Sequence, residues 1–233
     1  MYHRSMDTQP DIASVAFLIG ERTRAMILTA LLGGVALPAS ELAARCQLTQ
    51  QTMSAHLTKL VAGGLLTVEP QGRHRYYRLA SAEVGQVLET MQAIAPRPPV
   101  RSLRQSEETK ALCFARTCYD HLAGQLGVSI TQAMVQHGYL TEAEKNYLLT
   151  TAGEQWLTHL GTDISDIRRK RRVFAASCLD WSERHYHLAG ALGAGLASQL
   201  FAQGWIIRSS SNRAVRLSEA GKRGLLQELN LQF

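Results

Sequence analysis

The stretch ELAARCQLTQQTMSAHLTKLVAGGLLTVEPQGRHRYYRLA, residues 41–80, decides how the first part of this chain folds. Thr49 is placed to cap a helix, because its hydroxyl can accept from a free amide of the first turn. Behind it Met53, Leu57, Leu60 and Val61 recur at i, i+4, i+7 and i+8, the buried stripe of an amphipathic helix. Gly63-Gly64 ends that helix. Leu65–Val68 and Arg75–Leu79 are short β-rich runs flanking Pro70-Gln-Gly72-Arg-His74, a hairpin signal.

Working outward, Ile12, Val15, Ala16 and Ile19 have helical spacing, and a second amphipathic stretch runs from Glu21 to Leu32 before Gly33-Gly34. Ser40 is a candidate N-cap for a short helix through Cys46, and a last helix is expected from about Ser81 to Ile94. Helix, turn, helix, hairpin, helix is the order of a winged helix-turn-helix, whose second helix enters the major groove. The face of that helix offers Gln50, Gln51, Ser54, His56 and Lys59 and no acid, and the hairpin tip carries Arg73, His74 and Arg75. Glutamine can read adenine through two hydrogen bonds, while lysine and arginine neutralise phosphates. These eight residues are the expected contacts to double-stranded DNA.

The same stretch resembles the ArsR/SmtB family of bacterial winged-helix regulators. The resemblance rests on Glu41-Leu-Ala, Leu48-Thr-Gln50, Ser54-x-His56-Leu57, Leu60, Gly64-Leu65 and Tyr76-Tyr77-x-Leu79, within about residues 11–95. It implies a homodimer on an inverted-repeat operator, with dimer contacts from the first and last helices of the domain. The sequence departs from the family at its usual metal sites, so metal sensing there does not carry over. Pro38-Ala39-Ser40 stands where a thiolate would precede the third helix, and residues 81–95 contain no Asp or His. Position 55, often basic in the family, is Ala55.

The chain has 233 residues, 45% hydrophobic and 19% charged, which fits one or two globular domains and excludes a disordered chain. Its net charge is +6; residues 45–78 hold Arg45, Lys59, Arg73, Arg75 and Arg78 against Glu69 alone. No apolar run approaches the roughly 20 residues of a membrane span. Four cysteines are too few and too uneven for a disulfide framework, so reduced thiols and a cytoplasmic protein without membrane attachment are expected. Cys46, alone in the first domain, reads as a small core residue. Three of six prolines fall in Ala95–Val100, which divides the chain into a winged helix (1–95), a Pro-rich linker (96–106) and a C-terminal effector or dimerisation domain (107–233).

The C-terminal domain contains a repeat, at about 118–160 and 184–229. Leu122-Ala-Gly-Gln-Leu-Gly127 recurs as Leu188-Ala-Gly-Ala-Leu-Gly193, Gly138-Tyr139-Leu140 as Gly204-Trp205-Ile206, and Leu149-Thr-Thr-Ala-Gly153 as Leu217-Ser-Glu-Ala-Gly221. Each unit reads as helix, glycine stop, strand, turn, strand and helix, with Thr150 and Ser218 at the N-caps. The expected class is mainly α with small β-hairpins: a winged helix-turn-helix, then a mostly helical domain with an internal winged-helix-like repeat.

Near the start of each unit lie chemically active side chains: Cys113, Arg116, Cys118, Asp120 and His121 in one, Cys178, Asp180, Trp181, Arg184, His185 and His187 in the other. Four readings stay open. These residues are core and cap residues of a helix pair; or they line an organic effector pocket, with Tyr119 and Phe114 beside Trp181 and an arginine holding an anion; or they are a thiol switch; or they bind a soft metal. No Cys-x2-Cys or His-x3-His spacing favours the last. The run Arg168-Arg-Lys-Arg-Arg172 reads as a solvated helix start or an extra phosphate contact. No nucleophile elbow, P-loop or dinucleotide fingerprint is present. The expected function is therefore an effector-responsive DNA-binding repressor with no required cofactor. The alternative is an enzyme whose site lies in the C-terminal domain.

Overall fold

The computed structural model describes residues 9–72, 74–96, 99, 102–144 and 146–233, which form two compact units divided between Val84 and Gly85. The first begins with α1 (Ile12–Gly20) and α2 (Arg22–Leu31), followed by β1 (Leu37–Pro38) and α3 (Ala39–Cys46). Then come α4 (Gln50–Ala62), β2 (Leu66–Gln71), β3 (His74–Leu79) and the first turn of α5 (Ala82–Ile94). Asp11 caps α1 and Glu21 caps α2. Arg24 is buried and its guanidinium donates to the carbonyls of Phe17 (2.6 Å) and Leu18 (2.7 Å), satisfying the open end of α1. The strands form an antiparallel sheet in the order β1-β3-β2, with the wing register running from Leu66↔Leu79 to Gln71↔His74. Ile27, Leu28, Leu31, Leu42, Met53, Leu57 and Leu60 make the core. Cys46 belongs to it, and burial pushes its thiol pKa up.

Two local expectations change. Ser40 does not cap α3; the N-cap position is Pro38, with no side-chain bond, because pairing of Pro38 with Tyr76 holds the chain extended up to that residue. Val61 is half-buried, at the edge of the stripe.

The division between units falls inside α5, ahead of the expected boundary after residue 95. Glu89 and Gln92 accept from Arg213, and Arg184 donates to the carbonyl of Ala93, so most of α5 is fastened to the second unit. The linker is also shorter than 96–106: Ser102 caps α6 (Leu103–Phe114). Arg97, Pro98, Val100 and Arg101 lie outside the described residues, as do the first eight residues.

After α6 the second unit runs β4 (Arg116–Cys118), β5 (His121–Ala123), α7 (Gly124–Gln136), β6 (Leu140–Ala143), β7 (Asn146–Leu149) and α8 (Thr151–His159). It repeats as α9 (Ile164–Arg169), β8 (Ala176–Leu179), β9 (Tyr186–Ala189), α10 (Gly190–Ala202), β10 (Ile206–Arg208), β11 (Val215–Leu217) and α11 (Glu219–Leu229). Thr150 and Ser218 cap α8 and α11 through the amides of Gly153 and Gly221, as expected from sequence. Each repeat starts earlier than 118 or 184, because each carries a helix and a hairpin ahead of the matching segment. The thiols and imidazoles therefore sit mainly on strands; a helix pair does not hold them. The repeated Leu-Ala-Gly has a backbone cause. Gly124 and Gly190 both take positive φ at a strand-to-helix corner, where a Cβ would lie 2.6 Å from the carbonyl oxygens of Cys113 and Val173.

The two repeats exchange strands. The wing of the first repeat joins the leading hairpin of the second in one antiparallel sheet, β6-β7-β8-β9. The wing of the second approaches the leading hairpin of the first through the Arg116↔Ala214 bridge, where the Val215 amide donates to the Ala115 carbonyl. Likewise α7 packs on β9 and α10 on β5, around a core that includes Leu126, Ile130, Met134, Leu192, Leu196 and Leu200.

Across this exchange runs an ion pair in which both side chains are fully buried, Arg116 Nη2 to Asp180 Oδ2 at 2.8 Å. Burial raises the Asp180 pKa, but Arg116, Ser182 and the amides of Gly124 and Glu183 outweigh it and hold the carboxyl well below the usual range. Arg116 also lies over the Trp181 ring, 4.2 Å from its centroid. Removing one partner leaves the other charge buried alone, which costs about 3–5 kcal/mol. Arg116→Ala should lower the stability of the second unit by that amount. All three tryptophans (Trp156, Trp181, Trp205) lie in this unit, so their fluorescence in a denaturant titration reports it; an unchanged midpoint would refute the expectation.

Candidate functional site

On α4 the chain buries Met53, Leu57 and Leu60 and turns Gln50, Gln51, Thr52, Ser54, Ala55, Thr58 and Lys59 outward. Thr49 caps the helix at the Thr52 amide, so the first turn, with its partly positive amides, is held in place. Gln50, Gln51, Ser54 and Lys59 thus share the exposed face expected of them. His56 does not join them fully: its side chain is 19% exposed and its Nδ1 lies 3.4 Å from the Glu21 carboxylate. On the wing, His74 and Arg75 are exposed, and Arg78 is tied to Glu69 across the strands. Arg73 lies outside the described residues. Thr52 and Thr58 are further exposed hydroxyls that the sequence reading passed over, although Thr49 and the Ser54 carbonyl already engage them.

In the second unit the expected effector residues split into groups. Cys118 on β4 stands opposite His121 on β5, and Cys178 on β8 stands opposite His187 on β9. The two hairpins bring these four together: every ligand atom lies within 4.8 Å of the others, with the two sulfurs 3.8 Å apart. Both thiols are free. Cys118 is pushed up by burial and by Cys178 beside it, whereas Cys178 is drawn down by Cys118, against burial, and by the two imidazoles. Burial opposes a charge on His121, but Asp120 and Cys178 outweigh it and push its pKa up to about 9.

Asp120 and Asp180 lie behind the two imidazoles, at 3.4 Å from His121 Nδ1 and 3.5 Å from His187 Nδ1. Each carboxylate is paired with an arginine of the other repeat, Asp120 with Arg172 and Asp180 with Arg116. The remaining expected residues lie elsewhere. Cys113 is half-buried on α6, His185 is exposed in the β8–β9 turn, and Arg184 spends its guanidinium on the Ala93 carbonyl. Arg116 faces Asp180, so it is not open to an anion. The quartet has a sequence signal that went unread: Cys118-x-Asp120 recurs as Cys178-x-Asp180, and His121 recurs as His187 after a longer turn.

The basic run closes α9 rather than opening a helix, where positive charge suits the helix end. Arg168 pairs with Glu154, Arg169 and Lys170 with Asp166, and Arg172 with Asp120. Among the described residues no helix is long and apolar enough to cross a membrane.

A family model described as a helix-turn-helix domain matches residues 19–69. The chain is 43% identical over 224 residues to the "Uncharacterized HTH-type transcriptional regulator YdfF" of Bacillus subtilis (strain 168), covering 96% of this chain and 99% of that one. Among solved structures, HlyU from Vibrio cholerae N16961 is 29% identical, with 34% of this chain and 86% of that chain covered and a TM-score of 0.33. The homodimeric winged helix-turn-helix domain Mb0332 from Mycobacterium bovis, titled a possible ArsR-family transcriptional regulator, is 27% identical, with 38% and 89% covered and a TM-score of 0.34. With a capped α4 presenting an acid-free polar face, a basic wing beside it in sequence, and a relative matched almost end to end, the chain belongs to the HTH-type transcriptional regulators, DNA-binding proteins, and carries a winged helix-turn-helix in its N-terminal segment.

Proposed function

We propose that the protein is a homodimeric repressor that reads an inverted-repeat operator through α4 and releases or holds it according to a small effector bound in the second unit. The observation that carries the DNA-reading part is the exposed α4 face, Gln50, Gln51, Ser54 and Lys59, followed by Arg75 on the wing. A single such face covers only a few base pairs, and two faces related by a dyad supply the affinity and spacing of an operator half-site pair. For the dimer, α1 presents Ile12 and Phe17 at 78% and 76% exposure among the described residues, with the Arg24 guanidinium 5.3 Å from the Phe17 ring centroid. The reading includes no catalytic step. Three of the quartet, Cys118, His121 and His187, are at 6% exposure or less and Cys178 is half-buried, a poor setting for turnover of a substrate.

Lys59→Ala and Arg75→Ala should each weaken binding to operator and random duplex alike. Each should also flatten the slope of log K against log salt by about 0.9 per lost phosphate contact. Fluorescence anisotropy over a salt series measures both quantities, and unchanged slopes would remove this docking orientation. By contrast Gln51→Ala should cost about 1–3 kcal/mol on the operator and leave random DNA nearly unaffected. Equal losses on both would mean that Gln51 positions the helix without reading a base. Phe17→Glu should shift the protein from dimer to monomer in sedimentation velocity. A monomeric parent protein would sink the dimer.

A further inference from the structure

We propose that Cys118, His121, Cys178 and His187 form a four-coordinate Zn2+ site that joins the two repeats of the second unit. The donor set is two thiolates and two imidazoles, the composition of closed tetrahedral zinc centres. With Zn–S bonds of about 2.3 Å, a tetrahedron sets its two sulfurs about 3.8 Å apart. Here the sulfurs are 3.8 Å apart, close to that edge and far beyond a disulfide bond of about 2.05 Å. No two of the four donor atoms are separated by more than 4.8 Å, so closing round an ion needs side-chain shifts of roughly an ångström.

Two further observations point to a ligand. Nε2 of His121 and Nε2 of His187 are buried and make no hydrogen bond among the described residues. A buried polar atom without a partner is unfavourable, and a metal bond would satisfy both at once. Behind each ring stands a carboxylate on the Nδ1 side: Asp120 hydrogen-bonds His121 Nδ1 at 3.4 Å, and Asp180 lies 3.5 Å from His187 Nδ1, which makes no hydrogen bond among the described residues. A carboxylate on one ring nitrogen orients the other toward a metal and raises its basicity. The arrangement is doubled by the repeat: each hairpin contributes one Cys, one His and one Asp, and each Asp is paired with an arginine from the opposite repeat. With all four positions filled by protein, the ion would fasten one hairpin to the other and leave no coordination site for a substrate. This inference does not depend on the operator-reading model, and its test does not use DNA.

The test uses the full chain, purified without chelator and analysed for metal, then stripped and titrated with Zn2+ and with Co2+ as a spectroscopic probe. The expected result is about one ion per chain and a Co2+ spectrum with thiolate charge-transfer and tetrahedral ligand-field bands. Cys118→Ser with Cys178→Ser should abolish both, whereas Cys46→Ser and Cys113→Ser should leave them unchanged. Asp120→Asn should weaken Zn2+ by about 10–100-fold while keeping the same spectrum. Should the double variant fail to fold, thiol labelling of the native parent protein decides instead: Zn2+ should protect two thiols that a chelator exposes. The proposal is overturned by a stripped protein that binds neither ion, by a Co2+ spectrum without thiolate bands, by full binding in the folded double variant, by labelling indifferent to Zn2+, or by a Cys118–Cys178 disulfide in the metal-free purified protein.

Discussion

The contact between Arg116 and Asp180 sets the geometry of the whole second unit. Neither side chain reaches water, so neither charge is tolerable without the other. Arg116 belongs to the leading hairpin of one repeat and Asp180 to the turn after β8 in the other. Asp180 also accepts from the Gly124 amide, at the corner where β5 becomes α7, and from Ser182 in its own turn. One carboxylate therefore registers two hairpins and the start of a helix. Apolar packing alone would let the hairpins slide, because strands of three or four residues carry little register information. The Cys and His side chains converge because that register holds them opposite one another.

In the first unit the division of labour is simpler. Met53, Leu57 and Leu60 anchor one side of α4, the Thr49 cap fixes its start, and Arg24 closes the end of α1. The outward side is then free to be chosen for chemistry. Its amides and hydroxyls can accept and donate to base edges, while Lys59 and Arg75 supply charge. Glu21 shows how position changes the meaning of a residue type. It caps α2 and faces His56, so that imidazole belongs as much to the scaffold as to the polar face.

Features written in side-chain period or capping chemistry were legible in the sequence. The α4 stripe, the Thr49, Thr150 and Ser218 caps, the wing hairpin and the repeated Leu-Ala-Gly segments all emerge where local pattern places them. The misread features depend on contacts distant in sequence. Ser40 looks like a cap until β1 pairs with β3, and α5 looks like part of the first domain until Arg213 reaches back to Glu89 and Gln92. β4 and β5 have only three residues each, too few for alternation to show. The quartet was hidden for a related reason: its members come in Cys–His pairs separated by an entire repeat, so neither a Cys-x2-Cys nor a His-x3-His spacing announces it.

The exchange of strands between repeats also governs when the second unit can form as the chain leaves the ribosome. β4 is made early, but its neighbour across the Arg116↔Ala214 bridge is made almost last. Closing so long a loop is entropically costly and is repaid only once the final hairpin arrives. A nascent chain that has completed the first repeat holds β6 and β7 without β8 and β9, an exposed sheet edge of the kind that invites mispairing. In the first unit the paired strands β1, β2 and β3 all lie within residues 37–79, so no comparable loop has to close. The helices and wing of the first unit are therefore synthesised well before the second repeat, and for that interval the unpaired edge of β6 and β7 is the stretch most open to mispairing.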